Sequence, residues 1–68
     1  MSLIDLIKSQ KENEEKYFFV IYFKDVEVIN TSIKITFNQL INIIGLSLEN
    51  KKIEYTLLEN LVVIKIKG

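Results

Sequence analysis

The chain has 68 residues, and nine lysines balance nine carboxylates with no arginine, histidine or cysteine. That excludes disulfides, thiolate zinc sites and cysteine nucleophiles, and it removes the histidine that most metal sites and general bases use. A single domain over residues 1–68 buries only about 60% of the surface its unfolded chain exposes, so oligomerisation is the reinforcement left to it.

Ser2 to about Glu15 is predicted as a helix. Ser2 with Asp5 three residues on is a variant of the capping box, and an acid in the first turn suits the helix dipole. Leu3, Ile4, Leu6 and Ile7 form an apolar patch over two turns. Lys8 to Lys16 then offers no apolar residue, so that half is expected to be solvated.

Tyr17 to Phe23 is an unbroken run of aromatic and β-branched residues, which predicts a strand buried on both faces. It resembles the aromatic strand of RNA-recognition domains, but Tyr17 and Phe19 stand where that motif places glycine or alanine, so it is read as a core strand. Lys24-Asp25 is a two-residue turn lacking the usual glycine, and Val26 to Ile29 returns as a second strand. After a turn or bulge at Asn30-Thr31-Ser32, the alternation of Ile33, Ile35 and Phe37 predicts a third strand.

Thr36 and Gln39 form a T-x-x-Q capping box for a second helix, with Ile35 and Leu40 at the hydrophobic-staple positions. Gly45 is expected just past its end in a left-handed conformation, with Leu46 against Ile41. Leu40, Ile41 and Ile44 should be buried, and Asn38, Gln39 and Asn42 should face out. Lys52 to Lys67 fits a hairpin turning at Glu59-Asn60. Its register sets Ile53 opposite Ile66, Tyr55 opposite Ile64 and Leu57 opposite Val62, with Glu54 opposite Lys65 on the other face. The fold class is therefore α+β, a small antiparallel sheet with two helices in the order α-β-β-β-α-β-β.

The alternative is a winged helix-turn-helix, in which Leu48 to Asn60 is a recognition helix presenting Asn50, Lys51 and Lys52 to DNA. Zero net charge without arginine argues against a nucleic-acid partner. No catalytic or cofactor constellation appears. Glu12, Glu14 and Glu15 lack the glycine and spacing of a calcium loop, and the serines have no histidine to activate them. The longest apolar run is far short of the ~20 residues that span a bilayer, and Asp5 interrupts any signal-peptide core, so a cytoplasmic protein is expected. Abundant Ile, Lys and Asn without Ala, Pro or Arg suits an AT-rich genome, as in a low-GC microbe, a virus or a mobile element.

The first strand has no polar face. Phe18, Val20 and Tyr22 point one way, and Leu58, Leu61 and Val63 of the hairpin lie opposite the core. Unless helix 1 covers them, these six form a surface for a protein partner or for a second copy in a two-fold dimer. The function expected is a non-catalytic protein-binding module without metal or cofactor, such as a viral or mobile-element inhibitor occupying a surface on a host complex. The other readings are a winged-helix regulator and a small self-associating structural protein.

Overall fold

The computed structural model describes residues 1–67, with the backbone but not the side chain of Leu46. The chain is an α+β fold of seven elements: α1 (Leu3–Ser9), β1 (Phe18–Phe23), β2 (Val26–Asn30), α2 (Phe37–Leu40), α3 (Leu46–Glu49), β3 (Ile53–Leu58) and β4 (Leu61–Ile66). The strands form one sheet in the order β2-β1-β4-β3.

β1–β2 and β3–β4 are antiparallel hairpins, and the two hairpins meet through β1 and β4, which run parallel. The sheet is thus mixed rather than antiparallel. A parallel pair needs a crossover of a dozen residues or more, and the α2–α3 segment between β2 and β3 supplies it. β1 and β4 carry the two longest apolar runs and are the two central strands, but the burial of both faces that such runs predict is not met, because the helices cover one face only.

α1 begins as the sequence indicates. The Ser2 hydroxyl accepts from the Asp5 amide, and the Asp5 carboxylate accepts from the Ser2 amide. The helix stops at Ser9 instead of reaching Glu15, and residues 10–12 continue as turns. Isolated helices this short are marginal, and without an apolar side chain after Ile7 no packing supports another turn.

The third β segment is present as a single bridge. Thr31 and Ile35 pair with Phe19 and Tyr17 respectively, while Ile33 loops out into solvent between them. Phe37 leaves the β segment to become the first residue of α2, where it packs edge-to-face on Tyr17 and Phe19.

The Thr36–Gln39 capping box forms in both directions. The helix it starts is broken in two, with tight turns over residues 41–43 and a new start at Leu46. β-branched Ile41, Ile43 and Ile44 around Asn42 are poor helix propagators. Gly45 is extended (φ −80°, ψ 157°) and caps α3 at its N-terminus, so the expected left-handed C-terminal glycine is corrected. Ile41 is exposed, contrary to expectation, while Leu40 and Ile44 are buried. The expected Leu46–Ile41 contact lies outside the described residues.

The core is a single cluster on one face of the sheet. Leu3, Leu6 and Ile7 of α1 meet Phe37, Leu40 and Ile44 of the crossover over Phe19, Ile21, Val62, Ile64 and Ile66. Full burial of such a side chain stabilises by about 1.5–3 kcal/mol. Both helical segments therefore share one layer, and α1 does not cover the second face of the sheet.

Candidate protein-binding face

The register decides which side chains share the uncovered face. Phe18 of β1 lies beside Leu61 of β4, which lies beside Leu58 of β3. The next row is Val20, Val63 and Thr56, and the third is Tyr22, Lys65 and Glu54. Facing residues on neighbouring strands point to the same side. The six residues Phe18, Val20, Tyr22, Leu58, Leu61 and Val63 are thus brought onto one surface, opposite the core. None belongs to the core cluster or packs against it.

Polarity is graded along this face. The row at the hairpin-turn end is entirely apolar, and the far end carries charge. There Glu54 accepts from the Lys67 ammonium at 2.6 Å, a diagonal pair in place of the expected contact with Lys65. That hydrogen bond holds the Glu54 carboxyl below its ordinary value. Glu27 sits opposite Tyr22 on the outer strand β2, after a bulge in the β1–β2 ladder. At the apolar end, the Lys34 ammonium lies over the Phe18 ring at 5.7 Å.

The predicted pairs of the C-terminal hairpin all form in the expected register. Tyr55 and Leu57 are nevertheless exposed, because β3 is an edge strand and the helices do not reach over it. Only Ile53, at the start of β3, is covered by the core.

Asn50, Lys51 and Lys52 do not lie on a recognition helix. The segment expected to be a recognition helix is the strand β3, which overturns the winged-helix fold. Asn50 ends α3, the Lys51 ammonium stacks on the Phe23 ring at 5.5 Å, and the Lys52 carbonyl accepts from the Lys67 amide.

One residue that sequence reasoning passed over is Thr31, the only buried polar residue among those described. Its hydroxyl accepts from the Phe19 amide at 2.8 Å while its own amide donates to the Phe19 carbonyl. It satisfies the backbone of a core strand where β2 has ended. A lone threonine in a turn-like N-T-S gives no signal of this.

Among the described residues no cluster of acids is placed to hold a metal ion and no pocket opens. Among the described residues no helix is long and apolar enough to cross a membrane. No family model, curated protein or solved structure matches the chain.

Proposed function

We propose that the chain is a non-catalytic protein-binding module whose contact surface is the uncovered sheet face. The observation that carries this is the one-sided packing. Every helix lies on one side of the sheet, and the other side presents Phe18, Val20, Tyr22, Leu58, Leu61 and Val63 without a covering layer. Apolar patches of that kind on small proteins mark interaction surfaces. The occupant that fits is a flat apolar area on a folded protein, oriented by the charged row at one end, where Lys65, Lys67 and Glu54 sit together. Support for a non-catalytic role comes from the lack of histidine and cysteine in the sequence.

The test is site-specific photo-crosslinking in the producing cell. A crosslinker at Val20 or Val63 should capture one defined protein, and the same probe at Lys8 on the helical side should not. Val63→Lys should abolish the crosslink made from Val20 while the protein stays folded. Equal capture from both sides, or none from the sheet face, would contradict the proposal.

A further inference from the structure

The charges around the uncovered sheet face alternate in sign between its two halves and between its two ends. β2 and β1 form one half, and β4 and β3 form the other. At the end of the charged row, the first half carries Glu27 beside Tyr22. The second half carries Lys65 and the Lys67–Glu54 pair there, which leaves it positive on balance. At the hairpin-turn end the signs reverse. Lys34 lies over the Phe18 ring in the first half, and Glu59 occupies the turn after Leu58 in the second. Among the described residues Lys67–Glu54 is the only ion pair, so Glu27, Lys34, Glu59 and Lys65 are exposed charges that make none in their own chain.

Taking this face as the contact surface, as proposed above, we infer that its occupant is a second copy of this chain. The two copies pack face to face about a two-fold axis that runs parallel to the strands, midway between β1 and β4. Such an interface must complement itself. That axis exchanges the halves and keeps the ends, so each unpaired charge meets the half of opposite sign and the apolar row meets the apolar row. Phe18 falls on Leu61 of the second copy, Val20 on its Val63, and the Tyr22 ring on its Lys65 ammonium, a favourable cation–π arrangement. Glu27 falls over β3 of the second copy, where Lys65 and Lys67 outnumber Glu54. A two-fold axis across the strands would instead lay Phe18 and Leu61 on the charged row, and burying charge against apolar side chains is costly. A foreign protein would have to supply this alternation independently, whereas a second copy carries it by symmetry.

The product is a stack of two four-stranded sheets with nearly aligned strands, about 10 Å apart, and with all helices outside. The shared layer reinforces a 68-residue chain that has no cysteine for disulfides. Four short strands make a small interface, so the dimer is expected to dissociate in the micromolar range.

Sedimentation equilibrium across a hundredfold concentration range should give a monomer–dimer equilibrium, and the Val20 photo-crosslink should join two copies of the chain. Glu27→Lys and, separately, Lys65→Glu should each weaken the dimer by roughly tenfold, because each sets like charges across the interface. Both positions are exposed, so the circular dichroism spectrum should be unchanged. Mixing the two variants should restore association, since the mixed dimer joins opposite charges at both contacts. A monomer at every concentration overturns the inference. So does a dimer that ignores both charge reversals, or one that mixing fails to restore. The Val20 crosslink in the cell then separates this failure from that of the contact surface itself: capture of a different protein keeps the sheet face as a partner surface, and capture of nothing ends that reading as well.

Discussion

At the scale of single residues, a few side chains carry tasks that their neighbours could not take over. The Thr31 hydroxyl is the acceptor for the Phe19 amide inside the core, and valine has the same shape without that oxygen. Thr31→Val should cost about 1–3 kcal/mol in chemical denaturation, the range for a buried group left without its partner. Thr31→Ser should recover much of the loss. Lys24 and Asp25 both take left-handed backbone angles, φ 51° and 63°, because a two-residue turn between twisted strands demands them. L-residues pay strain there that glycine avoids. Asp25→Gly should therefore stabilise the fold by about 1 kcal/mol, and a loss of stability would show that Asp25 makes some compensating interaction. Gly45 needs no such freedom. An added Cβ would meet Ser47 Oγ at an ordinary 3.8 Å.

At the scale of elements, local grammar was legible and its extent was not. Both capping boxes could be read from Ser2–Asp5 and Thr36–Gln39, because a cap depends on residues three apart. Thr36→Ala should cost about 0.5–2 kcal/mol through the lost cap. The C-terminal register was legible too, since a slip of one residue would turn Val62, Ile64 and Ile66 into solvent. What could not be read were the places where tertiary packing decides. The end of α1 at Ser9, the reduction of the Ile33–Phe37 alternation to a bridge and the parallel meeting of β1 with β4 all depend on distant partners. The unbroken runs in β1 and β4 were the one available signal for two central strands. The two acids with displaced titration also act at element ends. The Asp5 carboxyl is lowered chiefly by its hydrogen bond from the Ser2 amide, and Glu54 by its hydrogen bond from Lys67. A carboxyl lower in the folded chain than in the unfolded one stabilises above the unfolded value, and that contribution fades as pH falls through the folded value. Both groups are exposed, so the effect is small and the Glu54 part shrinks in salt. The melting temperature should stay level from about pH 8 to pH 5, where no histidine titrates, and fall below about pH 4. A transition between pH 5 and 8 would contradict this account.

At the scale of the whole molecule, the decisive feature is asymmetry. A sheet of four strands carries all its helices on one side, and this explains how half of the apolar residues in β1 and β4 enter the core while the alternate half does not. The six residues of the uncovered face were legible from period-two alternation alone. Whether α1 would cover them was not, because an apolar patch of two turns fits either side of a sheet. Val62 and Val63 are adjacent in β4 and point to opposite sides, which makes them the sharpest test of this architecture. Val62 is fully buried beneath the helices, whereas Val63 is half-buried on the face that carries no helix. Val62→Lys places a charge in the core and should unfold the domain or cost several kcal/mol. Val63→Lys exchanges one side chain on an uncovered strand for another and should cost about 1 kcal/mol. The deciding measurement is urea denaturation of these two variants beside the unmodified chain. A folded Val63→Lys with an unfolded Val62→Lys is the result this account predicts, and equal, severe loss in both would mean that the second face is core as well.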